Sequence, residues 1–168
     1  MKRRLITSAL TALTMLVLIL GMFAAPSQVR AGGAIQVSGV GYYAAPGQCT
    51  DPEGQGADYA LTMTGAFSGC HYVFVEAGKC SPGGAYFEAG TETFVGTYDG
   101  QLGTFRTNYV FTAKYLDCPN FIGEVAGRCQ HPIIDGSGTG IFEGVTGRFD
   151  MKDDVEVGNF PYRGHLLY

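Results

Sequence analysis

The chain has 168 residues with 11 basic and 15 acidic side chains. Four of the basic ones (Lys2, Arg3, Arg4, Arg30) lie in the first 31 residues, leaving seven against fifteen beyond them, a charge of −8. That balance excludes nucleic-acid binding and docking on anionic lipid, both of which need cationic side chains against phosphate. Gly is abundant at 26, Phe and Tyr number 11 and 10, and Trp is absent. Gly punctuation between aromatic and β-branched runs marks a hairpin-rich all-β domain.

The chain opens with "MKRR", then an apolar run from Ala9 to Ala25, then "VRA" at Val29–Ala31. A basic start, an apolar centre and small residues at −3 and −1 make a secretory signal peptide, cleaved before Gly32. The apolar run sits at the short edge of what spans a bilayer, so a retained anchor is the lesser alternative. Residues 1–31 are thus expected to be the signal and 32–168 one domain. The expected location is extracellular or periplasmic, with no membrane attachment after cleavage.

Candidate strands follow in order: "AIQVSGVGYYA", "ADYALTMTG", "CHYVFVEAG", "GAYFEAGTETFVGTY", "GTFRTNYVFTAKYL", "EVAGRCQHPII", "GRFDMKDDV" and "YRGHLLY". The fifth is the clearest. Phe105, Thr107, Tyr109, Phe111, Ala113 and Tyr115 fall on one face, with Arg106, Asn108, Thr112 and Lys114 on the other. A period of two over this length predicts a long strand with one buried side. In the sixth, Val125, Cys129, His131 and Ile133 share a face against Arg128 and Gln130. About eight strands joined by short turns predict an antiparallel barrel or sandwich.

The run "GSGTGIFEGVTGRFD", Gly136 to Asp150, could be a phosphate cradle or a tight turn. A phosphate loop is normally unique and precedes a helix. Here Phe-x-Gly recurs in "GAFSG", "GTETFVG" and "GTGIFEG", flanked by strand-like sequence, and the GxGxxG spacing fails at Ile141. The glycines are read as supplying positive φ for turns and bulges, and each Phe as a core anchor.

The C-terminal segments "GTETFVGTYDGQLGTFRTNYVFTAKY", "GRCQHPIIDGSGTGIFEGVTGRFDMKDD" and "FPYRGHL" resemble bacterial exported proteins of unassigned function. Those are similar to the allene oxide cyclase-like barrels and, more distantly, to plant dirigent proteins. The shared element is the "GTGxFxGxTGR" turn followed by an acidic strand, and the resemblance covers roughly Gly65 to Leu167. It implies a closed eight-stranded antiparallel barrel whose interior can hold an apolar ligand, often in a homo-oligomer. No cyclase catalytic residue transfers to a position of this chain, and shared fold does not carry shared chemistry.

Candidate chemistry is sparse. Cys129-x-His131 places a thiol and an imidazole on one strand face, with His71 and His165 completing the histidines. A metal site or a Cys–His nucleophile from these is weighed against a disulfide cysteine beside a hydrogen-bonded His, and the latter is preferred. Carboxylate pairs occur at Glu88/Glu92, Asp150/Asp154 and Asp153/Asp154. "DMKDDVEVGN" lacks EF-hand order and reads as a solvated face with a local ion pair of Asp150 and Lys152. Arg106, Arg128, Arg148 and Arg163 are expected to pair with Glu88, Glu92, Asp150 or a backbone carbonyl. No catalytic residue, cofactor or metal is assigned. Counting along antiparallel partners from the expected turns gives Cys70–Cys129 and Cys49–Cys80 as bridges, with Cys118 the odd thiol. The expected function is non-catalytic binding of a small apolar or phenolic molecule in the lumen, against Phe105, Tyr109, Phe111 and His131. The alternatives are an isomerase or cyclase acting on such a molecule, and a solid-core cell-surface protein. An eight-stranded barrel can be packed or hollow.

Overall fold

A computed structural model describes residues 33–168; the expected signal peptide and its cleavage point lie outside the described residues. The described chain is all-β apart from one 3₁₀ turn at Pro52–Gly54. Its strands are β1 (Ile35–Tyr43), β2 (Tyr59–Gly65), β3 (Phe67–Cys80), β4 (Ala85–Tyr98), β5 (Gln101–Asp117), β6 (Ile122–Pro132), β7 (Thr139–Gly140), β8 (Thr146–Lys152) and β9 (Phe160–Leu167). The wall runs β1-β2-β3-β4-β5-β6-β8-β9 and closes where β9 pairs with β1, every pair antiparallel. This is the expected eight-stranded closed barrel, with β7 as a short ninth strand. Closure removes the long free edges that an open sheet would offer to another chain, and the two-residue β7, paired with β5 alone, is a short edge.

The period of two on β5 is realised: Phe105, Thr107, Tyr109, Ala113 and Tyr115 are buried, and Arg106, Asn108, Thr112 and Lys114 are exposed. β6 covers only the second half of β5, from Val110 to Asp117. The Gly-rich segment takes over the first half: β7 pairs with Gly103 and Thr104, and Ile134 N–H donates to the Arg106 carbonyl. "GTGIFEG" is therefore a clip and turn between β6 and β8, whereas the similar "GTETFVG" is uninterrupted strand within β4. What the copies share is the anchor. Phe67, Phe94 and Phe142 are wholly buried and meet one another at ring-centroid distances of 5.4 to 6.1 Å. Gly140, Gly144 and Gly147 take positive φ as expected, and Gly138 does not.

These rings fill one end of the lumen. Phe67 packs against Phe94, Tyr98, Phe105, Phe142, Phe149 and Tyr162, all within 6.3 Å. The Tyr162 hydroxyl is tied on both sides, accepting from Phe67 N–H at 2.9 Å and donating to the Thr64 carbonyl at 3.0 Å. An aromatic plug of this kind supplies apolar burial and geometry-specific ring contacts together.

The disulfides differ from expectation. Cys49 pairs with Cys70 and Cys80 with Cys118, leaving Cys129 as the free, buried thiol. The reason is facing. His71 and Val73 point into the lumen, so alternation turns Cys70 and Tyr72 outward, where the loop of residues 44–58 covers them. That loop is pinned through Cys49–Cys70 and through the Tyr72 hydroxyl, which donates to Asp51 Oδ2 at 2.7 Å. Cys129 points inward and cannot meet an outward Cys70. Two bridges fit an oxidising compartment. No helix among the described residues is long and apolar enough to cross a membrane.

Candidate functional site at the polar end of the lumen

Opposite the aromatic plug, the inward faces change character. On β4 the inward positions run Glu88, Gly90, Glu92 and Phe94, so the carboxylates sit deeper into the mouth than the last Phe. Strand register then assembles a layer: Glu92 on β4 stands opposite Thr107 on β5 and Val73 on β3, with His71 two residues before Val73. His131 reaches the same layer from β6, its ring stacked on Phe149 at 4.6 Å.

Two hydrogen bonds and a third close approach converge on Glu92 Oε2. The Thr107 hydroxyl donates at 2.5 Å and His131 Nδ1–H at 2.7 Å, while His71 Nε2 lies 3.1 Å away. His71, Glu92 and His131 are all at most 2% exposed. Burial alone pushes the Glu92 carboxyl up. The charges of the His131 and His71 imidazoles, and then the His131 hydrogen bond, outweigh burial and hold it well below the usual carboxylate range.

One turn of the lumen further out, Glu88 is gripped by phenols. Tyr109 donates to Oε1 at 2.8 Å, Tyr86 to Oε2 at 2.6 Å, and Tyr59 more weakly to Oε1 at 3.4 Å. Burial first, and then the neighbouring carboxylate, raises all three phenols, so they stay protonated donors at neutral pH.

At the rim a second carboxyl pair forms where sequence periodicity breaks. The β5–β6 register slips at Lys114/Tyr115, pairing Ala126 with Lys114 and Glu124 with Tyr115. This bulge skips Val125, which is 53% exposed rather than inward, and turns Glu124 toward the lumen instead. Asp153 continues the inward alternation of Phe149 and Met151 past the end of β8. Gly127 leaves the space for both: a Cβ there would fall 2.2 Å from an Asp153 carboxyl oxygen and 2.5 Å from one of Glu124. Burial, then a hydrogen bond and the charge of Glu124, push Asp153 up to about 8. One proton is therefore retained by this pair at neutral pH.

Between these groups lies a cavity of about 60 Å³. Tyr43, Tyr59, Leu61, Val73, Phe111 and Phe160 give it aromatic and aliphatic walls, and Glu92, Glu124, Asp153, Cys129 and His131 contribute its polar atoms. Burial, and then the negative charge of Glu92, raises the Cys129 thiol far above its usual range. It is a thiol and not an activated thiolate, which removes support from a Cys–His nucleophile. Of the four residues expected to line a ligand site, Phe111 and His131 border the cavity. Tyr109 lies beneath it, bound to Glu88, and Phe105 belongs to the solid aromatic end. His165 is on β9 between inward Gly164 and Leu166 and plays no part here. The arginines expected against Glu88 and Glu92 are elsewhere; Arg148 pairs with Asp150 at 2.8 Å on the exposed face.

A larger concavity of about 800 Å³ lies on the outer wall of β5, β6, β8 and β9, bordered by Lys114, Arg128, Lys152 and Arg163. Its basic side chains are exposed, and it contains none of the buried polar groups found in the lumen. The lumen mouth is the built site. Compared with known proteins, the chain matches no family model and no curated protein.

Proposed function

We propose that this barrel is an exported small-molecule-binding protein of the allene oxide cyclase-like type, and that its ligand enters the polar mouth of the lumen. The observation that carries this is the division of the lumen. One end is sealed by rings, and the other holds a cavity with apolar walls and a few convergent polar groups, the usual form of a ligand site. A protonated Asp153 and the Cys129 thiol are donors, while Glu124 and Glu92 are acceptors, which suits a hydroxyl or carbonyl on an otherwise flat apolar body. A phenol meets that description. At about 60 Å³ the cavity takes the polar head of such a molecule, with the body lying across Tyr43 and Phe160 at the rim. The paired disulfides and the N-terminal leader support secretion.

A second reading is favoured by one observation. A carboxyl held protonated at neutral pH beside a second carboxyl is the arrangement used for general acid–base work. An isomerase acting on an enolisable or phenolic molecule would use Asp153 as the acid.

The chain contains no Trp, so Phe111→Trp installs a lone indole in the cavity wall, excited selectively at the red edge of its absorption, beyond that of the tyrosines. Titrating that variant with phenol and with cyclohexanol should give saturable quenching, stronger for phenol. Absence of saturation with either, at concentrations up to their solubility, would remove the binding reading. Turnover of an enolisable ketone, abolished by Asp153→Asn while quenching persists, would select the isomerase.

A further inference from the structure

We propose that His71, Glu92 and His131 form a binding site for one divalent transition metal of the zinc type. The site is independent of whether a small molecule enters the mouth.

Three strands deliver one ligand atom each, and these atoms all lie within 4.8 Å of one another. Two ligands held 2.0–2.1 Å from a tetrahedral zinc stand about 3.3 Å apart. His71 Nε2 stands 3.1 Å from the Glu92 oxygen, close to that edge, and His131 Nδ1 stands 2.7 Å from it, about 0.6 Å short of the edge. The His71 contact is the informative one. Its nitrogen is close to the carboxylate, yet its N–H is not directed at the oxygen, and its other nitrogen has no partner either. Two vertices of a coordination shell have this relation; a donor and its acceptor do not.

Burial makes the point quantitative. His71 is 0% exposed, and a wholly buried imidazole with neither nitrogen hydrogen-bonded is rare and costly. A metal on Nε2 supplies one of the two missing partners. Glu92 already has what a ligating carboxylate needs, a neighbour that fixes its orientation, in the Thr107 hydroxyl at 2.5 Å.

The donor set decides the class. Two imidazoles and one carboxylate suit zinc, cobalt or ferrous iron, whereas calcium and magnesium select oxygen ligands. Glu92 and His131 border the cavity and His71 stands behind them, so the remaining coordination position faces the lumen mouth. Three protein ligands and one open position belong to sites that hold a water or substrate, not to closed structural sites.

The test begins with protein stripped by a chelator and titrated with Co²⁺, followed by its visible ligand-field bands, with Zn²⁺ displacing it. About one Co²⁺ per chain with tetrahedral-type intensity, displaced by about one Zn²⁺, is expected. His131→Gln and His71→Gln should each weaken binding by more than about tenfold. His165→Gln, on the outer face, should leave it unchanged. Wild-type protein whose Co²⁺ retains the weak octahedral spectrum of the free ion would overturn the proposal without recourse to any variant. So would a Co²⁺ signal lost in His165→Gln and kept in His131→Gln. Phenol quenching of Phe111→Trp in chelator-treated protein separates this outcome from failure of the binding reading.

Discussion

Replacing Asp153 by Asn should make the barrel more stable in alkaline solution and hardly change it in acid. Asp153 is drawn into the mouth by the alternation of β8 and set beside Glu124 by the bulge in β6. Its carboxyl is raised from 3.8 to about 8, by burial and then by Glu124. A raised folded-state value means that the folded protein binds the proton more tightly than the unfolded chain. The associated stability is fully present below about pH 4 and is lost as pH rises through about 8. Without solvent screening, the difference between 3.8 and about 8 corresponds to roughly 6 kcal/mol, at about 1.36 kcal/mol for each tenfold change in proton affinity. Asp153 is only partly buried, and solvent screening reduces the expected effect to about 1–2 kcal/mol. Urea unfolding at about pH 5 and about pH 9 measures it. The wild type should lose about 1–2 kcal/mol between them, beyond any change shared with Asp153→Asn. The variant should match the wild type within about 0.5 kcal/mol at the lower pH and exceed it at the higher. A wild type with no such loss, or a variant with the same slope, would refute the buried carboxyl pair.

Other expectations concern the frame around the mouth. Phe67→Ala removes the ring that touches six others and should cost about 3–5 kcal/mol in urea unfolding. Gly144→Val has open space for its side chain but must hold φ near 74°, so it should cost about 1–3 kcal/mol, seen as a lowered melting temperature. Non-reducing peptide mapping should return Cys49–Cys70 and Cys80–Cys118 with Cys129 alkylated only after unfolding. Losing the Cys80–Cys118 bridge by paired substitution to Ala should lower stability by about 2–4 kcal/mol.

The barrel was legible because most of its strands obey one rule. Alternation on β5 and the recurring Phe-x-Gly anchors can be read locally, and both lead to the same buried face. The site was less legible for two physical reasons. The first is the bulge: one skipped residue exchanges Val125 for Glu124, and nothing in "GEVAGR" announces it, since either residue alternates equally well with its neighbours. The second is range. His71, Glu92 and His131 share a level only through the registers of β3, β4, β5 and β6 taken together, and each register is set by distant pairing. A usable signal did exist. Glu88 and Glu92 are four apart on a strand, hence on one face with Phe94, and a carboxylate in line with core aromatics is a buried carboxylate. The cysteines failed for the converse reason. Cys70 lies next to inward His71, so it is outward, and an outward cysteine has to find its partner in a covering loop.

The claim that the lumen mouth is the ligand site is tested most directly by crystals of the protein soaked with 4-bromophenol and measured at the bromine edge. The account predicts one anomalous peak at the mouth, beside Tyr43 and Phe160, with the phenol oxygen toward Asp153 and Glu124. A bromine found only in the basic groove on the outer wall, or nowhere on the protein, would contradict it.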